Sequence, residues 1–330
     1  MANGIKRKIT MGIAKEGTFN VAEASPTYVL PNVEASFNPV VNYAQNQSML
    51  GSSHMTSTSM VTTKHQEVNF TMKVDEDVLG LLLLQNYTDS TAASAGETTV
   101  YDHTFTYSNS NNGASYTIFI QDDERGDLII KGFRYENLTV TPVVDGFVTA
   151  QITGVASLEA SGSVTNSIST LREFVGRHAS FQIAAYESSL ATFGLLTAEL
   201  VLSSPLVGDD TRYELGSADL ANNSTLGTEI TSTVEALYPD ETYKDYFLAG
   251  TAVHSAITVT DTARFVDTSV ANTSPSIAFT APHQHITAGT WTDAGADELM
   301  KQSMTLTAND MPGVSGAPMG IVITNSVASY

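Results

Sequence analysis

The stretch "GFRYENLTVTPVVDGFVTAQITGVAS", Gly132 to Ser157, fixes the reading of the whole chain. It opens on glycine and aromatics. From "LTVT" onward apolar and polar residues alternate, which is the period-two signature of a half-buried strand. Leu138 and Val140 fall on the inward face. Pro142 and Gly146 bracket "VVDG" and mark a turn, and a second strand follows. The stretch is therefore two antiparallel strands.

Working outward, "EVNFTMKV" puts Val68, Phe70, Met72 and Val74 on one face and Glu67, Asn69, Thr71 and Lys73 on the other. "SYTIFIQ" reads as a strand, with "QDDERGD" after it as a polar turn. "DEDVLGLLLLQ" reads instead as a short helix. Its acids suit the N-terminal end of the helix dipole, and Leu79, Leu82 and Leu83 share one face. A second helix is expected at "PDETYKDYFLAG", with stripe Tyr243, Tyr246 and Phe247 and a stop at Gly250.

The chain echoes itself. "NPVV" at Asn38 and "SPLV" at Ser204 lie 166 residues apart; "LGS" at Leu50 and Leu215, 165; "VDED" at Val74 and "PDET" at Pro239, 165. "ENLTVT" at Glu136 meets "QSMTLT" at Gln302, which equates Leu138 and Val140 with Met304 and Leu306. "QITGVASL" at Gln151 meets "VITNSVASY" at Val322. The "SMTLT…MGIVITNSV" segment accordingly reads as the same strand pair with a longer loop. Five echoes in one order imply a duplication, 1–165 and 166–330, joined through the Ser/Gly-rich "SLEASGSVTNSISTLREF".

Composition bounds the function. The 330 residues carry a net charge of −20, through scarcity of Lys and Arg. Such a surface repels nucleic acid, because phosphate contacts need clustered cations. The one basic cluster, Lys6–Lys8, reads as a solvated arm. Cysteine is absent, which removes disulfides, thiolate zinc sites and thiol nucleophiles. No apolar run approaches the roughly twenty residues of a membrane span, and no signal peptide is expected at the start.

Candidate chemistry is thin. Asp75, Glu76 and Asp77 could be an acid–base set, but acids at a helix start have a structural reason to be there. His283 and His285 have the spacing of two ligands on one strand, lack an evident third, and read as an exposed loop pair. His103 is isolated. "RGD" at Arg125–Asp127 reads as a hairpin tip. No P-loop, GxSxG or HExxH is present. No catalytic residue, cofactor or metal is expected.

The order of elements resembles the tail tube (major tail) proteins of long-tailed bacteriophages, in the version with two tube domains. It is carried by "SPTYVLPNVEASFNPVV", "EVNFTMKVDEDVLGLLL", "YDHTFTYSNSNNGASYTIFIQDD" and the opening stretch. The resemblance implies a mainly β chain: two tandem β-sandwich or partial-barrel domains, each with one short helix, plus extended arms and loops. It implies a non-enzymatic virion component. Three chains would form a pseudo-sixfold ring with a continuous inner barrel, and rings would stack into the hollow tube of a siphovirus tail. Its partners would be itself, the tape measure protein, tail terminator and distal tail proteins, and viral DNA passing without specific binding. It would assemble in the host cytoplasm, with no membrane contact.

A cation-poor wall fits such passage. Glu67, Asn69 and Lys73, with Glu229, Thr231 and Glu235, are expected to face the lumen, the second set subject to a one-residue register choice. The loop from Asn42 to Thr63, with Gln47, Met49, His54, Met55 and Ser59, is expected to reach the next ring. Residues up to about Asn20 and the C-terminal "NSVASY" are expected to be further contact arms. The β pattern also fits another virion component, such as a minor tail, adhesin or capsid-decorating protein. A secreted carboxylate hydrolase is opposed by the missing signal peptide and the lone Trp291.

Overall fold

In a computed structural model of the chain, the described residues are 9–30, 33–46, 58–94, 99–167, 173–237, 240–266, 273–292, 300–309 and 318–330. The first half contains β1 (Thr10–Lys15), β2 (Tyr28–Val29), β3 (Glu34–Asn46), β4 (Thr58–Lys73), α1 (Glu76–Leu83), β5 (Tyr87–Ala93), β6 (Tyr101–Tyr107), β7 (Tyr116–Gln121), β8 (Leu128–Thr141), β9 (Thr149–Ala156) and β10 (Ala160–Ser161). The second contains β11 (Ala179–Ala185), β12 (Ala191–Phe193), β13 (Leu195–Ser203), a one-turn α2 (Asp209–Arg212), β14 (Glu229–Leu237), α3 (Thr242–Ala249), β15 (Ala252–Thr260), β16 (Ser276–Thr292), β17 (Lys301–Ala308) and β18 (Gly320–Asn325). The chain is mainly β, as the alternation requires.

The pairing order recurs. In the first half it runs β2–β1–β7–β8–β9–β4–β3, with β10 on the start of β8. In the second it runs β12–β11–β15–β16–β17–β14–β13, with β18 on the start of β16. The irregularities recur too. β8 leaves Glu136 unpaired against β9, and β16 leaves Thr287 unpaired against β17, 151 residues on. A second register shift separates Tyr116 from Ile118 on β7 and Val253 from Ser255 on β15. Bulges bend a strand. Here each long strand changes partner near its bulge, β8 from β7 to β9 and β16 from β15 to β17. A Cβ on Gly154 would lie 2.1 Å from the Arg134 carbonyl, so glycine lets β9 approach β8 at its bulge.

This correspondence corrects two of the echoes. β8 matches β16, and β9 matches β17, so "QSMTLT" is the counterpart of the strand after "ENLTVT". Met304 and Leu306 are buried as expected, but they correspond to Ile152 and Gly154, not to Leu138 and Val140. Likewise β18 corresponds to β10 and does not pair with β17. The error arises because every strand here alternates, so a Thr-rich strand matches its neighbour as well as its counterpart.

Both helices form where expected. The Asp75 side chain accepts from the Asp77 N–H at 2.8 Å and caps α1. Gly250 ends α3 at φ +63, in the left-handed region. Their settings differ. Leu79, Leu82 and Leu83 are fully buried, as are Val78 and Leu81, whereas α3 has no buried residue.

Two expectations fail against the structure. Residues 10–15 are a paired strand with Met11, Ile13 and Ala14 buried, not an arm. The Glu16 carboxylate, also buried, accepts from Ser115, Thr117 and Gly132. The C-terminus is folded in: Tyr330 lies against Gly80 and His103 and donates to the Glu76 carbonyl at 3.0 Å. Among the described residues of the junction, Asn166 donates to Thr10 and Phe174 is fully buried. Lys6–Lys8 lie outside the described residues.

Candidate assembly surfaces

Eight strands form one continuous inner sheet, in the order β3–β4–β9–β8–β13–β14–β17–β16. The halves meet at β8–β13, where Leu202 faces Leu138 and Leu200 faces Val140, all buried. The opposite face is polar. Glu67, Asn69 and Lys73 stand on it from β4, and Glu229, Thr231 and Glu235 from β14. All six residues therefore share one face, and Ile230, Ser232, Val234 and Ala236 point the other way.

Thr139, Gln151, Thr153, Thr233 and Thr305 fill the rows between them. Lys73 is held by Glu173 at 3.5 Å and lies 3.6 Å over the Phe147 ring. Lys301 is held by Glu235 at 3.1 Å. The face thus offers hydroxyls, amides and carboxylates, with its lysines engaged by acids.

β3 and β4 run on together past the sheet, pairing out to Asn46 and Thr58. Tyr43 and Met60 are exposed on this stem. Ser59 lies in β4 and is exposed; Gln47, Met49, His54 and Met55 lie outside the described residues. The equivalent connection in the second half, residues 204–228, folds back onto the first half instead. Tyr213 Oη meets His65 Nδ1 at 2.6 Å, Asp219 meets Lys64 at 2.8 Å, and Asn223 Nδ2 donates to the Val155 carbonyl at 2.9 Å.

A second contact between halves lies at the start of α1. The Glu76 carboxylate is fully buried and takes both arms of Arg264, at 3.0 and 3.1 Å. Burial, and then the nearby Asp75 charge, raise its pKa from 4.5 to about 7 against the pull of Arg264. Asp261 holds Arg264 at 3.3 Å and His178 at 3.4 Å. Asp75 thus caps the helix and Glu76 enters an ion pair, and the ion pair to a loop 188 residues away has no local signal.

His283 and His285 sit on strand β16, not on a loop, with ring centroids 5.1 Å apart. His283 is buried, which pushes its pKa down. Among the described residues no group of three His, Cys, Asp or Glu could hold a metal ion. His103 is fully buried between Asp89 and the Val327 carbonyl. In the "RGD" turn, Asp127 accepts from Asp122 and Val164 while Arg125 is exposed, consistent with a hairpin tip. No described helix is long and apolar enough to cross a membrane.

A family model described as phage tail tube protein matches residues 6–308. No curated protein matches the chain.

Proposed function

The chain belongs to the phage tail tube protein family, and from that premise we propose that it carries two copies of one tube unit and closes, as three chains, into a pseudo-sixfold ring. The repeated pairing order, with bulges at Glu136 and Thr287, supports the duplication. The observation that carries the ring is the inner sheet. Two four-stranded blocks already lie edge to edge in one chain, and among the described residues its outermost strands β3 and the end of β16 pair on one side only. Unpaired strand edges are aggregation templates unless closed, and closure into a barrel removes them.

On this reading the polar face lines the bore, with Glu67, Asn69, Lys73, Glu229, Thr231 and Glu235 toward the lumen. A wall of hydroxyls and carboxylates, with Lys73 and Lys301 engaged by Glu173 and Glu235, gives DNA few cationic holding points. The stem from β3 and β4, with residues 47–57 that join the two strands in sequence, contacts the adjacent ring. The protein has a structural, non-enzymatic role in a siphovirus virion tail. It is assembled in the host cytoplasm around a tape measure protein and bounded by tail terminator and distal tail proteins. Negative-stain electron microscopy of purified protein tests this: rings or hollow tubes are expected, and a monodisperse monomer under all assembly conditions would overturn it.

A further inference from the structure

The seam inside one chain has a register that can be transferred to the chain's own outermost strands. At the internal seam Val201 faces Thr139 and Leu200 faces Val140. The Ser204 N–H donates to the Glu136 carbonyl at 2.6 Å. Hydrogen-bonded and non-hydrogen-bonded pairs alternate in an antiparallel ladder. Leu202–Leu138 and Leu200–Val140 are therefore bonded pairs, and Val201–Thr139 is a non-bonded pair.

The matching bulges transfer this register. Glu136 and Thr287 are equivalent, so Leu138, Thr139 and Val140 correspond to Gly289, Thr290 and Trp291. Ser36 reaches Thr153 through Asn69, and Glu199 reaches Thr305 through Thr233, so Ser36 and Glu199 correspond. Leu200, Val201 and Leu202 then correspond to Phe37, Asn38 and Pro39.

We propose that β16 of one copy pairs antiparallel with β3 of a second copy, with Asn38 opposite Thr290, Phe37 opposite Trp291 and Pro39 opposite Gly289. This rests on the ring reading above. Phe37 and Trp291 are half-buried in the single chain, while their counterparts Leu200 and Val140 are 1% and 3% exposed. The seam would finish burying an aromatic pair on the core side. The Trp291 ring already lies on Phe247, at 5.3 Å between centroids, and over Gly289, where a Cβ would meet it at 2.4 Å. In this register Pro39 is a bonded position facing the open edge. It has no N–H to offer there, so it costs β4 nothing; the seam keeps the bond from the Gly289 N–H to the Pro39 carbonyl and forgoes the reciprocal one, and the free edge is a poorer template for any strand.

The chain has no cysteine, so a disulfide can report the register directly. Asn38→Cys with Thr290→Cys places two thiols at a non-hydrogen-bonded pair, where Cβ atoms are closest. Within one chain these positions lie at opposite ends of an eight-stranded sheet, on the order of 30 Å apart at ~4.8 Å per strand, so every disulfide formed is intermolecular. The assembled double variant, oxidised and run on a non-reducing gel, is expected to give covalent trimers at least tenfold above the offset pair Asn38→Cys with Ala288→Cys. Electron microscopy of the same samples separates the two claims. Rings or tubes that cross-link as well or better through the offset pair overturn the register and leave the ring standing. Absence of assembly in both variants and in the parent chain overturns the ring and the seam with it.

Discussion

Arg264 grips Glu76 with both guanidinium arms, Nη1 to Oε1 at 3.0 Å and Nη2 to Oε2 at 3.1 Å. The carboxylate belongs to the first half and the guanidinium to the second. Removing one member of a buried pair leaves the other charge desolvated. Arg264→Ala should therefore cost about 2–3 kcal/mol, below the roughly 3–5 of a fully buried pair, because the Arg264 side chain is a quarter exposed. Urea unfolding of the variant measures this; a midpoint equal to the parent's would refute it.

The same carboxyl sets a pH dependence. Its folded pKa of about 7 lies above the 4.5 of the unfolded chain. Such a group favours the fold most below pH 4.5, and that contribution is lost as pH rises through 7. Glu76→Gln does not titrate, so its stability relative to the parent should improve between those limits and stay level above them. The full swing is about 3 kcal/mol by linkage. Unfolding midpoints of both proteins from pH 4.5 to 8 decide the matter, and parallel curves would sink it.

Tyr330 fills the space beside Gly80, where a Cβ would meet its ring at 2.2 Å. Tyr330→Ala should cost about 3–5 kcal/mol through the cavity it opens. Gly80→Ala should be destabilising in the parent and tolerated, or favourable, in the truncated background, since alanine also suits a helix better than glycine. A double-mutant cycle by thermal unfolding tests the pair, and additive effects would count against direct contact.

The β3–β4 stem offers a clean cut. Asn46 faces Thr58 in the ladder, so residues 47–57 can be replaced by an Asn-Gly turn without disturbing the pairs below. The shortened chain should fold and remain soluble yet fail to build long tubes. Normal tubes in the microscope would refute a stacking role for that segment.

The bore can be made adhesive. Asn69→Lys, Glu229→Lys and Thr231→Lys change exposed or half-buried positions on the polar face, so the fold should stand. Tubes of the triple variant should retain DNA in a manner that weakens steeply with salt, whereas parent tubes should not. Equal retention by both would exclude that face from the DNA path.

Much of this architecture could be read from the chain because alternation and burial are the same fact seen twice. Val68, Phe70 and Met72 alternate with Glu67 and Asn69, and the structure buries the first set. The helices were legible for a related reason, since capping and stop residues act locally: Asp75 and Gly250 do what their types favour. Pairing was harder. "ENLTVT" and "QSMTLT" look alike, yet the segment that matches the first in pairing order and bulge is "TAGTWT", Thr287–Thr292. The ion pair of Glu76 with Arg264 and the seat of Tyr330 join residues distant in sequence by ordinary residue types, so nothing local announces them.

The folded-back connection of residues 204–228 bears on how one ring would find the next. Among the described residues, the β3–β4 connection of the first half runs on as a stem, whereas its equivalent in the second half grips the first half through Tyr213, Asp219 and Asn223. A bore that looks sixfold would then carry threefold docking pegs. A ring landing on a growing tube would have three equivalent seatings instead of six, and the rotation from ring to ring would be dictated by the pegs, not by the barrel.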